Sequence, residues 1–232
     1  MLRTDYISNQ SLQFGLGVSK VSGQYKVLCI NEGVWSDSHR VYTLGTGTWR
    51  RVKAGAASSF RFWGVPIICN DNLHWRAYDS RNRIWVVCGF DVECFSVFYL
   101  LPAGIGNGKL SVLRDCVCYS NYTRSNGEIF IWMMKEYQVN ESWTIGYKMS
   151  TTDSDLSFRR LYIHVEAIKH FKDGDVLMLL DHSILVYSSN YTRTLQQVNM
   201  LNDTDAKKCY ALIFNPSLLS LESFGFENVI SF

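Results

Sequence analysis

Apolar residues along this chain come in short runs that stop at polar turns. "QYKVLCI", "HRVYTLG", "RIWVVCGF", "CFSVFYL", "EIFIWMM", "LYIHVEAI", "DVLMLLD" and "ILVYSS" are dominated by aliphatic and aromatic side chains. Runs of this length and composition, bounded by turn residues, predict β-strands. The links at 22–24, 45–47, 80–82, 125–127 and 172–175 carry the Gly, Asn, Asp and Ser that tight turns require. No stretch keeps a 3.6-residue apolar stripe for three turns, so the chain is expected to be nearly all-β.

The strands group into units. One runs from "FGLGVSKVSGQYKVLCI" to "RVYTLGTGTWRRV". The next runs from "NLHWRAYD" to "CFSVFYLLP", the third from "KLSVLRDCVCYS" to "SWTIGYKM", and the fourth from "LYIHVEAI" to "TRTLQQV". Their ends, Val52, Pro102, Met149 and Val198, fall roughly 46 to 50 residues apart, the period of kelch-type repeats. About four strands per unit predicts the blades of a β-propeller, with a sandwich or barrel as the alternative. The whole chain, 1–232, is read as one domain, and whether its ring of blades is complete stays open. In "IWMMKEYQVNESWTIGYKM" (131–149), "IWMM" reads as an inner strand covered on both faces and "NESWTIGYKM" as the outer strand. Trp49 in "TGTWRRV" holds the place of Trp143 two units earlier. With Trp75 and Trp132 they are expected to anchor blade against blade, since a buried Trp takes roughly 200 Å² out of water.

Composition narrows the function. Apolar residues make up 47% of the chain, enough for a sizeable core. A net charge of +2 makes no electrostatic case for nucleic acid or an anionic membrane. No run of about 18 apolar residues exists, and the N-terminus has no apolar signal-peptide core. The seven cysteines are odd in number, lack C-x-x-C spacing and sit mostly in apolar runs. They read as reduced core thiols of the cytoplasm or nucleus, not as metal ligands. Five N-x-S/T sequons, at Asn9, Asn121, Asn140, Asn190 and Asn202, support one alternative, a secreted carbohydrate-binding or glycosidase-like propeller.

Catalytic motifs are missing. "GIGNGKL" (104–110) has neither the spacing nor the Ser/Thr of a phosphate loop and reads as an inter-blade turn. "FGLG" (14–17) lacks the rest of a dinucleotide fingerprint and also reads as a turn. His164 and Glu166 share a strand face, but His170 lies beyond them, which argues against a metal set. There is no G-x-S-x-G. Asp153, Asp155, Asp173 and Asp175 sit at turns. No catalytic residue, cofactor or metal is therefore expected. The doublets Arg50–Arg51 and Arg159–Arg160 flank strands and are the candidate partner contacts, because Arg is favoured in hot spots.

"YKVLCI", "RVYTLGTGTWRRV", "NLHWRAYD", "IFIWMMKEYQVNESWTIGYKM" and "DGDVLMLLDHSILVYSSNYTRTLQQV" follow in an order that resembles the F-box-associated interaction domain of plant F-box proteins. The similarity covers about residues 12 to 200, and "IWMMKEYQVNESW" is its most specific piece. It implies a kelch-like propeller that recruits a target protein to an SCF-type ubiquitin ligase, with no enzymatic activity of its own. The helical F-box that members carry ahead of this domain has no counterpart before Phe14, and within residues 1–40 Gly15, Gly17 and Gly23 oppose a docking helix. A Skp-type adaptor and cullin are therefore expected as partners only when an F-box is supplied upstream. A protein-interaction scaffold without ubiquitin linkage is the other alternative.

Overall fold

A computed structural model describes residues 12–19, 22–31, 39–52, 55–91, 94–99, 108–151 and 163–198. Their strands form four antiparallel sheets of four, each a simple meander in chain order. The first sheet holds β1 (Leu12–Val18), β2 (Tyr25–Asn31), β3 (Arg40–Thr43) and β4 (Trp49–Arg51). The second holds β5 (Phe60–Cys69), β6 (Asn72–Asp79), β7 (Ile84–Asp91) and β8 (Cys94–Tyr99). The third holds β9 (Lys109–Leu113), β10 (Cys116–Thr123), β11 (Glu128–Met134) and β12 (Trp143–Ser150). The fourth holds β13 (Val165–His170), β14 (Val176–Leu180), β15 (Ile184–Ser188) and β16 (Leu195–Val198). The expected all-β, propeller-like architecture is the one found, and each sheet ends within three residues of its expected boundary. Asn70–Asp71 and Arg114–Asp115 both take positive φ, which matches the mirror-image turns that join a first strand to its second.

The sheets pack face to face in chain order, and each junction has its own apolar cluster. Leu28, Ile30 and Val41 of the first sheet meet Phe62, Leu73 and Trp75 of the second. Val87 and Phe98 of the second meet Tyr119, Met134 and Trp143 of the third. Ile129, Ile131 and Met133 of the third meet Val165, Met178 and Val186 of the fourth. "IWMM" is apolar on both faces for this reason. Ile131 and Met133 point to the fourth sheet while Trp132 and Met134 point to the second.

Two readings from sequence need correction. "FGLG" is no turn: Phe14–Gly17 lie inside β1, paired with Lys26–Cys29. A Cβ at Gly15 would come within 2.7 Å of Leu73, so glycine here lets the first sheet approach the second closely. Trp49, expected to be buried, is 46% exposed. Its place does match that of Trp143, because each opens the last strand of its sheet. Trp143 faces the preceding sheet and is 5% exposed, whereas Trp49 lies on the face of the first sheet turned away from the second.

That outward face carries Leu12, Phe14, Leu16 and Val18, alternate residues of β1, all exposed. An apolar row of this kind favours association. The purified chain is expected to self-associate, and Phe14→Lys with Leu16→Lys should return it to monomer in light scattering at an unchanged melting temperature. Association that persists in the double variant would place the contact elsewhere.

Candidate partner-binding site

Strand β5 breaks its pairing with β6 between Trp63 and Ile67, where Gly64, Val65 and Pro66 stand opposite Trp75 alone. Gly64 has φ +73, and Pro66 has no N–H to give to a ladder, so both residues suit a bulge. The bulge pushes Val65 (82% exposed) and Trp63 (49% exposed) out of the sheet. Trp63 leans on Trp85 with ring centres 6.1 Å apart. The Arg76 guanidinium also stacks on Trp85, at 4.5 Å from the ring centre.

Arg76 crosses to the third sheet and donates to the Gly108 carbonyl. The Gly108 N–H donates to the Tyr119 hydroxyl at 2.9 Å. A side chain at 108 would collide with the Tyr119 ring and the Ser120 carbonyl, so only glycine lets the chain enter β9 this closely. Lys109, the next residue, pairs with Glu166 of β13, and both side chains are about a quarter exposed. His164 lies beside them, its ring centre 5.8 Å from that of His182. These groups enclose a cavity of about 420 Å³ where the second, third and fourth sheets meet. Val65, Pro66 and Leu110 supply its apolar lining. Its described charged lining is two cations, Arg76 and Lys109, and one carboxylate, Glu166.

The "KEYQVNES" segment between β11 and β12 has a different task. Tyr137 reaches back to the second sheet, where its hydroxyl accepts from the Asn72 amide at 2.6 Å and meets His74 Nε2 at 3.1 Å. Its ring packs edge-on against His74 and tilted against Phe98. Ser142 closes the loop by donating to the Val139 carbonyl at 2.7 Å. The segment is a clamp between two sheets. Burial lowers the pKa of His74 to about 4, so the clamp works with a neutral ring.

The anticipated site residues scatter. Arg50 and Arg51 are exposed on β4, at the outer edge of the first sheet, and do not line the cavity. Arg159 and Arg160 lie outside the described residues. Trp75 is fully buried and donates to Gln13 at 3.0 Å, tying the second sheet to the first. Trp132 is half-buried between the second and third sheets. His164 and Glu166 line one wall together, while His170 turns away to Arg114. Among the described residues no three His, Cys, Asp or Glu side chains come together as metal ligands. Asp175 serves its turn, accepting from the Asn190 N–H at 2.7 Å and from the Tyr187 hydroxyl.

The cavity itself was missed in the sequence, because Gly64 and Pro66 hid β5 from a search for unbroken apolar runs. A Trp-Gly-Val-Pro run between two apolar stretches was the available signal. Cys29, Cys69, Cys88, Cys116 and Cys118 are free. Burial pushes the Cys69 and Cys118 thiols up to about 11 and about 12, which suits core packing better than reactivity. Asn121, one of the sequon asparagines, is buried within β10 and closed to glycosylation in the folded chain. No helix among the described residues is long and apolar enough to cross a membrane.

The profile of the F-box associated beta propeller domain family matches residues 1–217. F-box protein CPR1 of Arabidopsis thaliana is 27% identical over 206 residues, covering 75% of this chain and 48% of that protein. F-box protein At3g07870 of the same plant is 29% identical over 179 residues, covering 62% of this chain and 41% of that protein. The chain spans about half the length, or less, of the curated relatives it matches.

Proposed function

Because this chain belongs to the F-box associated β-propeller domain family, we propose that it is the substrate-recognition part of an SCF-type E3 ubiquitin ligase receptor. It binds a target protein and performs no chemistry on it. Family membership over nearly the whole chain carries this reading. The F-box names of its relatives supply the link to a Skp-type adaptor and a cullin, which this chain engages when an F-box precedes it. A cytoplasmic or nuclear setting follows from that assembly.

The surface fits a binding task. Trp63, a residue type enriched at interface hot spots, stands exposed beside a cavity that Arg76 also lines. Arg50 and Arg51 offer a second contact area on the first sheet. The test is a fusion of this chain behind an F-box, expressed in plant cells. At least one protein should fall in abundance and recover under proteasome inhibition. A proteome unchanged by the fusion, with adaptor binding verified, would overturn the reading.

A further inference from the structure

We infer that the cavity between the second, third and fourth sheets takes an acidic side chain of the target protein with an apolar or aromatic residue next to it. This rests on the receptor reading and specifies the peptide chemistry such a receptor selects.

Size, lining and charge agree on that ligand. A volume of about 420 Å³ lies within the range of pockets that hold small ligands, and has room for one large side chain and part of its neighbour. The mouth is apolar: Val65 and Trp63 stand exposed at its rim and are available to cover an aliphatic or aromatic group. Further in, Arg76 and Lys109 outnumber Glu166, so the described lining has a net positive charge. Arg76 is held in place by Trp85 and by the Gly108 carbonyl, which makes it a fixed positive end. Lys109 is the adjustable one. Its long side chain has rotatable bonds and a compact ammonium, so Lys109 can turn from Glu166 to an incoming carboxylate. His164 and His182 add ring nitrogens on the same wall. Among the described lining residues a basic peptide finds only Glu166 as a charged acceptor, already engaged by Lys109. A phosphate backbone gains little long-range attraction from a chain whose net charge is only +2.

Glu166 and Lys109 make the inference testable, because their substitutions must act in opposite directions. Lys109→Gln removes a cation that the ligand uses. Glu166→Gln removes the carboxylate that competes for that cation. A random 12-residue phage library is panned on the whole chain, with counter-selection on the Lys109→Gln variant. The selected peptides should share Asp or Glu beside Phe, Leu or Trp. One of them, synthesised and titrated by calorimetry, should bind about tenfold more weakly once its acid is changed to the amide, the size of a lost charged hydrogen bond. Lys109→Gln should weaken it about as much, Val65→Asp should weaken it, and Glu166→Gln should tighten it about threefold. Thermal melts of each variant exclude a loss of fold.

A library that enriches nothing, or enriches basic peptides, overturns the assignment. Lys109→Gln and Glu166→Gln shifting affinity in the same direction does so as well. The receptor reading fails separately. If the F-box fusion depletes its target equally well with Lys109→Gln, that reading stands and the cavity assignment falls. If the wild-type fusion depletes nothing, the receptor reading falls whatever the peptides do.

Discussion

Trp143→Ala is expected to lower the unfolding free energy by about 3–5 kcal/mol, the range for emptying a buried aromatic site. Trp143 stands at 5% exposure among Val87 and Phe98 of the second sheet and Tyr119 and Met134 of its own. Alanine leaves a cavity across a sheet-to-sheet junction, which neither sheet can close without moving as a body. The Trp143 indole N–H is buried without a partner, so Trp143→Phe keeps most of the packing, loses no hydrogen bond and should cost far less. Trp49→Ala, at the matching place in the first sheet, should cost about 1 kcal/mol or less. Trp49 touches Tyr42 at 5.3 Å between ring centres and leaves nearly half its surface in water. Urea midpoints of the three variants check the contrast. Equal losses for Trp49→Ala and Trp143→Ala would remove the distinction between a covered and an uncovered face.

A second large effect is expected from pH. Burial among Phe98, Tyr137 and the β6 backbone lowers the His74 pKa from 6.5 to about 4. Between those values the unfolded chain takes up a proton that the folded chain refuses. The contribution of His74 to stability is therefore present in full above pH 6.5 and is lost as pH falls toward 4. Its full size is about 3 kcal/mol, of which about 2 kcal/mol is gone at pH 5. Carboxylates also titrate in this window, so the measurement is a difference. The urea midpoint of wild type should drop more steeply between pH 7 and pH 5 than that of His74→Gln, which offers Tyr137 an amide that does not ionise. Parallel pH profiles would show that His74 does not titrate on unfolding.

The chain announced its strands through side-chain type, because β-branched and aromatic residues suit a pleated, half-buried surface whatever they pack against. It announced the sheet boundaries through periodicity, since each four-stranded meander has to turn at similar intervals. "IWMM" displayed its two-sided burial directly: a strand covered on both faces has no polar positions to alternate with. The irregular strands stayed hidden. β5 carries Gly64 and Pro66 in its middle, and β1 carries Gly15 and Gly17, so local rules read breaks where the structure has a bulge and a close approach.

Local sequence determined the regular strands and their turns, because turn geometry and strand propensity act over a few residues. Tertiary structure alone decided what each exposed or buried position faces. Trp49 and Trp143 begin equivalent strands in similar settings, and only the sheet packed in front of Trp143 separates an anchor from an exposed ring. Tyr137 became a clamp because Asn72 and His74, more than sixty residues away, arrive within hydrogen-bond reach. The cavity exists because β5, β9 and β13, the first strands of three sheets, converge and bring Lys109 and Glu166 up to Arg76 of β6 from distant points of the chain. A short-range pattern carries no record of that convergence, because it arises from how whole sheets stack and not from any spacing between neighbouring residues.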